Sequence, residues 1–281
     1  MATLYVVSTP IGNLDDVTLR AIAVLKRVDR VLAEDTRRTS ILFRRYDIAT
    51  PLVSAHEHNE AARAAQLVGW LDDGVDVALV SDAGTPLVSD PGARLVSAVL
   101  AAGHRVVPVP GASALLSALV ISGLPAEPFT FYGFAPRSGR ARRELLAELA
   151  ALRHTAVLYE SPARLTSLLR DLIGACGADR PAAVARELTK LHESLVHGTL
   201  ADVLRTYEGA AVRGEVVVVL GGAAAPLPPA EEDAAALAAE LLAGGATPRS
   251  AARELARRLR MSRNDAYALV LAAREAGRDG G

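Results

Sequence analysis

Residues 75–103 read VDVALVSDAGTPLVSDPGARLVSAVLAAG. Val75–Ser81 is a near-continuous apolar run, too short for a useful helix and rich in β-branched valine. A polar string follows, Ser81-Asp82-Ala83-Gly84-Thr85-Pro86-Leu87-Val88-Ser89-Asp90-Pro91-Gly92. The apolar residues then recur at helical spacing over Asp90–Ala102, and Gly103 ends the pattern. A strand apolar on both faces, followed by a helix, is the repeating unit of a parallel sheet covered on both sides.

The same alternation extends outward. Upstream, Leu4–Ser8, Arg30–Ala33 and Leu52–Ala55 read as strands, with helices over Val17–Val28, Thr36–Tyr46 and Glu60–Leu71. Downstream come a strand at Arg105–Val109 and a helix at Ala112–Ser122. Residues 1–120 are therefore expected to form one parallel α/β domain. Residues 121–222 are expected to form a second, with strands at Phe129–Phe134, Thr155–Tyr159, Ala182–Glu187, Ser194–His197 and Glu215–Leu220. Its helices fall at Arg140–Leu152, Arg164–Gly174 and Leu200–Tyr207. Its last strands lack full helices between them, which predicts a mixed sheet. The Gly-, Ala- and Pro-rich segment 223–230 reads as a linker, and 231–281 as a helical extension.

Composition narrows the function. With 51% hydrophobic and 22% charged residues in 281, disorder is excluded. A single cysteine, Cys176, excludes a disulfide framework or a thiolate metal cage. The net charge of −1 excludes a bulk-basic nucleic-acid coat, so any nucleic-acid contact must come from local patches. Lys26 and Lys190 are the only lysines among 31 basic residues. No basic leader precedes an apolar run, and no stretch reaches the ~20 apolar residues of a spanning helix. A soluble cytoplasmic protein without membrane association is expected.

Ligands of an open parallel sheet bind beyond the carboxyl ends of its strands. In this chain five strand ends carry polar strings: Ser8–Asn13, Glu34–Arg37, Ser54–Asn59, Ser81–Gly92 and Pro110–Ser113. The opposite connections, such as Asp72-Asp73-Gly74, read as plain helix stops. No G-x-G-x-x-G and no P-loop is present, which disfavours nicotinamide and nucleoside triphosphate ligands. The lysine-free Asp82–Pro86 loop suits a neutral or cationic ligand better than a polyphosphate. His56 and His58 flank Glu57 without the spacing of a zinc helix, so no metal site is expected.

The Ser81–Gly92 string resembles the signature of the ribosomal RNA small subunit methyltransferase I family, within the tetrapyrrole methylase superfamily. Ser8–Asn13, Glu34–Arg37, Pro110–Ala114, Phe131–Pro136, Tyr159–Pro162, Arg186–Lys190 and Gly214-Glu215 extend the resemblance in order across residues 3–222. It implies two α/β domains of the tetrapyrrole methylase type with a cofactor cleft between them, plus a small C-terminal helical extension. It also implies a homodimer. The implied activity is methyl transfer from S-adenosylmethionine to the ribose 2′-hydroxyl of a decoding-centre cytidine in 16S rRNA, free or in the small ribosomal subunit. The cofactor residues it implies are Pro10, Asp82, Ala83, Gly84, Thr85, Val88, Ser113, Ala114, Tyr159, Glu160 and Leu188. Tetrapyrrole methylases carry a Gly-Asp-Pro turn where this chain has Gly84-Thr85-Pro86, so no aspartate role passes to Thr85.

Methyl transfer from a sulfonium is an in-line displacement that needs alignment and an acceptor for the hydroxyl proton. Asp35, His56, Glu160, Glu187, Lys190 and Glu193 are the cleft candidates. Lys190, Asp35 and His56 are singled out as catalytic. Against these stand a structural ion pair of Lys190 with Glu187 or Glu193, a salt bridge of Asp35 with Arg37, and a loop hydrogen bond for His56. Arginines at 37, 38, 44 and 45, and at 137, 140, 142 and 143, are candidate phosphate contacts. So are Arg249, Arg253, Arg257, Arg258, Arg260 and Arg263 of the extension. There, Thr247-Pro248 reads as N-cap and N1, Ala252, Leu255 and Leu259 as the apolar stripe, and Ser262 with Asp265 as a capping box. That pattern resembles a helix-turn-helix, with packing or dimerisation as the alternative. A corrin-precursor methyltransferase and a non-enzymatic cofactor-sensing nucleic-acid binder are the competing readings of the whole chain.

Overall fold

The computed structural model describes residues 2–224, 231–259 and 261–279. The linker expected at 223–230 therefore lies, from residue 225 on, outside the described residues, as does Arg260. The chain divides into two compact units, Met1–Ala223 and Ala224–Gly281.

In the first unit, β1 (Thr3–Val7), β2 (Arg30–Ala33), β3 (Leu52–Ser54), β4 (Val77–Val80) and β5 (Arg105–Val109) form one sheet. The order is β3-β2-β4-β1-β5, and every pair is parallel. Alternation along the strands explains the unbroken apolar runs. Val31, Ala33, Ala78 and Val80 pack with α1 (Leu19–Arg27) and α2 (Thr36–Arg45). Leu32, Val77 and Leu79 point the other way, onto α3 (Glu60–Asp72) and α4 (Ala93–Ala101).

The second sheet holds β6 (Phe129–Phe134), β7 (Thr155–Glu160), β8 (Pro181–Arg186), β9 (Ser194–Thr199) and β10 (Val216–Leu220). Its order is β6-β7-β10-β8-β9; only β6 and β7 pair in parallel, so the sheet is mixed as expected. Leu158, Val184 and Val218 face α6 (Gly139–Ala151), α7 (Leu165–Cys176) and α8 (Leu200–Tyr207). Val157, Ala183, Ala185, Val217 and Val219 face the other way, onto Ile11 and onto Ala118 and Leu119 of α5 (Ala114–Ile121). That shared apolar seam joins the two α/β layers. Each buried valine or leucine in it contributes roughly 1.5–3 kcal/mol.

Two expectations need correction. The helix expected from Asp90 begins at Ala93. Leu87 and Ser89 take positive φ, and Gly92 sits at φ 126° where a Cβ would lie 2.9 Å from Leu79 Cδ2. That backbone cannot be helical, so Asp90 stays in the loop. Arg142, expected as a phosphate contact, is buried. Its Nε donates to Asp171 Oδ2 at 2.7 Å and its Nη1 to the Pro136 carbonyl at 2.8 Å, tying α6 to α7.

The second unit holds α9 (Glu231–Ala243), α10 (Pro248–Leu259) and α11 (Arg263–Asp279). Ala238, Ala251, Ala252, Leu255, Ala266 and Val270 form its core. Thr247 Oγ1 accepts from Ser250 N at 3.2 Å, and Ser262 Oγ from Asp265 N at 3.1 Å, which starts α10 and α11 at the expected caps.

Candidate active site

The loops after β1 and β4 leave the carboxyl edge of the first sheet side by side, because those strands are neighbours. An isolated antiparallel bridge joins them: Thr9 N donates to Gly84 O at 2.8 Å and Gly84 N to Thr9 O at 3.0 Å. Ser8 Oγ lies 3.0 Å from Thr85 Oγ1, which in turn reaches the Ala112 carbonyl at 3.3 Å. The loop after β5 is thereby drawn into the same assembly. At the far exit of the β4 loop, the buried carboxylate of Glu60 accepts from Gly92 N and Arg94 N, both at 3.0 Å.

Between these loops and the second sheet lies a cavity of about 280 Å³. Eight of the eleven residues named as cofactor contacts line it: Ala83, Gly84, Thr85, Val88, Ser113, Ala114, Tyr159 and Glu160. Leu188 lines a smaller void of about 20 Å³ that shares Ile11, Ala114, Glu215 and Val217 with the cavity. Pro10 is buried behind the Thr9–Gly84 bridge. Asp82 faces elsewhere, accepting from Asp35 N at 2.9 Å and lying 3.5 Å from Arg38.

The sequence reading missed several lining groups. Ile11 and Phe134 look like core residues, yet both face the cavity. Asp90 reads in sequence as the start of a helix, yet it lines the cavity. Glu215, Val216 and Val217 arrive because β10 pairs antiparallel with β7, setting Val216 opposite Glu160 and Val217 opposite Tyr159. Gly214, at φ 87°, leaves no room for a Cβ, which would run into the Glu187 carboxyl.

Among the described residues, three carboxylates and no cationic side chain line the cavity: Asp90, Glu160 and Glu215. Burial, with Glu34 and Asp82 nearby, pushes the Asp90 carboxyl up to about 6 despite a hydrogen bond from Ser81. Glu160 is buried at the end of β7. Its Oε1 accepts from Ser161 N at 2.7 Å and pairs with Arg164, while its Oε2 has no partner among the described residues. The Tyr159 ring packs edge-on against Phe131 and Phe134, with centroids 4.9 and 5.5 Å away, and burial raises its hydroxyl above the usual range.

The three catalytic candidates separate. Lys190 Nζ donates to Glu187 Oε1 at 2.8 Å and Glu215 Oε2 at 3.0 Å, so it holds a cavity carboxylate without lining the cavity itself. Burial pulls its pKa down, but its hydrogen bonds to those two glutamates outweigh that and raise it, keeping it an ammonium. Glu193 instead accepts from Thr189 N. Asp35 caps α2, accepting from Arg37 N at 2.9 Å, and is gripped by the Arg37 guanidinium at 2.7 and 3.0 Å. That grip lowers it to about 2. His56 follows β3, at the sheet edge two strands from β4, and its amide donates to Asn59 Oδ1 at 2.9 Å. Neither Asp35 nor His56 lines the cavity. Among the described residues no three His, Cys, Asp or Glu side chains converge as a metal site would require. No helix among them is long and apolar enough to cross a membrane.

Residues 3–204 match the family model described as Tetrapyrrole (Corrin/Porphyrin) Methylases. A protein of Synechocystis named ribosomal RNA small subunit methyltransferase I is 43% identical over 96% of this chain and 98% of its own. The chain belongs to the ribosomal RNA small subunit methyltransferase I family of tetrapyrrole methylases. A member of that family from Bacillus subtilis is 46% identical over 76% of this chain and 73% of its own. The methyltransferase CobJ has the same fold, with TM-score 0.61 and 21% identity, covering 80% of this chain and 95% of that one. So does the Thermus thermophilus uroporphyrin-III C-methyltransferase complexed with S-adenosylhomocysteine, with TM-score 0.57 and 22% identity, covering 79% and 97%. Family membership accounts for the loop strings that meet at the cavity of this methyltransferase.

Proposed function

We propose that the chain transfers the methyl group of S-adenosylmethionine to the ribose 2′-hydroxyl of a decoding-centre cytidine in 16S rRNA. The reading is carried by the electrostatics of the cavity, which among the described residues has three carboxylates, no cation and an aromatic wall, in the fold of a methyltransferase family. A sulfonium amino acid is cationic at both its sulfur and its amine. An acidic, half-apolar cleft therefore holds it more strongly than its neutral thioether product. The unpartnered Glu160 Oε2 is a ready acceptor for such a donor's ammonium or hydroxyl groups.

In the step itself the ribose oxygen attacks the methyl carbon as the carbon–sulfur bond breaks, and the hydroxyl proton passes to a base. Alignment of oxygen, carbon and sulfur supplies roughly 7–11 kcal/mol of the barrier. Asp90, poised near neutrality, is the cavity group suited to take the proton. Asp35 is too weak a base, and Lys190 acts by fixing Glu215. We propose that the protein is cytoplasmic and works as a homodimer, for which Leu116 and Val120 of α5, 50% and 71% exposed, offer an apolar surface.

The test is incubation of undermodified small subunits with methyl-labelled S-adenosylmethionine. Label recovered in a cytidine 2′-O-methyl group is expected. Label in a tetrapyrrole, or cofactor binding without transfer to any RNA, would overturn the reading.

A further inference from the structure

The arginines of α10 and α11 look like one basic rim in sequence, but the structure sorts them into two sets. Glu254 binds Arg257 Nε at 3.0 Å and Arg258 Nε at 2.8 Å, and the two guanidiniums hold its carboxyl at about 2. Arg249, Arg253 and Arg263 are exposed and form no ion pair among the described residues. All three unpaired guanidiniums open on one groove of about 1100 Å³ between the two helices.

The rest of that groove is equally one-sided. Asn264, Tyr267 and Leu271 line it, and no carboxylate among the described residues does. Arg249 and Arg253 are one turn apart on α10; Arg263, Tyr267 and Leu271 are successive turns on α11. Each series thus presents one face. Tyr267 and Leu271 stay 42% and 37% exposed, although the unit has its own apolar core. A concave, unneutralised cationic groove with an uncovered aromatic ring differs from a convex recognition helix, which enters a duplex groove. It has instead the components that hold a single strand: cations along the backbone and a ring on which a base stacks.

We propose that this groove binds a single-stranded RNA segment. Arg249, Arg253 and Arg263 take phosphates, Tyr267 stacks a base and Asn264 hydrogen-bonds a base edge or sugar hydroxyl. The choice of RNA rests on the proposed activity toward rRNA; the groove chemistry stands by itself.

The experiment is fluorescence anisotropy of the full chain with a labelled, unstructured 12-nucleotide RNA over a salt series. Arg249→Ser/Arg253→Ser is expected to bind about tenfold or more weakly. Its log K against log [salt] slope should be shallower by about 1.4, the release expected for two phosphate contacts on a single strand. Tyr267→Ala is expected to lose about fivefold or more with the slope unchanged, because stacking releases no counterion. Glu254→Gln/Arg257→Gln keeps the net charge and should bind like the parent; circular dichroism melts of each variant confirm folding. Affinity and slope unchanged in the double arginine variant would overturn the proposal. So would a duplex bound as tightly as the single strand with Tyr267→Ala inert. Either result alongside undiminished methyl transfer by the parent chain sinks the groove alone; absent transfer with these losses intact sinks the activity alone.

Discussion

The cavity of the α/β unit and the groove of the helical unit are electrostatic opposites. The first is lined by Asp90, Glu160 and Glu215 without a cation; the second by Arg249, Arg253 and Arg263 without a carboxylate among the described residues. A chain whose net charge is −1 has sorted its charges by position. The comparison teaches that bulk charge says little about partners when two sites of opposite sign share one chain. It also matches the two proposed roles: an acidic pocket for a cationic methyl donor, a basic one for a polyanion.

The sharpest way to break the contrast is to neutralise the cavity. Asp90→Asn is expected to lower transfer by ~10²–10⁴-fold, the range for a lost general base. The parent rate should rise as pH passes about 6, where Asp90 ionises, and the variant should lack that limb. Stability moves oppositely. A carboxyl raised in the folded state makes folding less favourable as pH climbs from its unfolded value through about 6. Asp90→Asn should therefore melt above the parent at pH 8 and not at pH 4.

Glu160→Gln strands the half-buried Arg164 guanidinium and should cost about 3 kcal/mol in denaturant unfolding. Lys190→Ala leaves Glu187 and Glu215 facing each other without their ammonium. About a tenfold loss of transfer is expected, with Lys190→Arg retaining most activity and an unchanged rate removing Lys190 from the mechanism. The smallest effect belongs to the helical unit. Glu254→Gln removes two ion pairs to exposed arginines and should shift the melting temperature by about 1 °C or less.

The sequence pattern carried the fold far because strand runs such as Val77–Val80 are apolar on both faces, which only a doubly covered parallel sheet requires. The polar strings pointed to the edge where the cavity lies, because the opposite connections read as plain helix stops. What stayed hidden depends on pairing and handedness of single residues. Nothing local announces that β10 sets Val216 opposite Glu160, or that Lys190 reaches a partner 25 residues away rather than Glu193. Asp90-Pro91 reads as a helix start until positive φ at Leu87 and Ser89 turns it into the cavity wall. Arg142 looks like surface until Asp171 is found beneath it. The arginines of α10, by contrast, could be sorted from spacing: Arg257 and Arg258 follow Glu254 by three and four residues on its own helix face, whereas Arg253 and Arg249 stand one and five residues before it.

Glu60 has a consequence for how the donor arrives. By tying Gly92 and Arg94 to α3, it anchors one end of the Ser81–Gly92 loop while the Thr9–Gly84 bridge anchors the other. The conformational entropy of that loop is thus surrendered during folding, not during capture of a ligand. Donor binding should then resemble a key entering a finished lock: little heat-capacity change beyond surface burial, and an affinity that collapses once the lock's own frame is loosened.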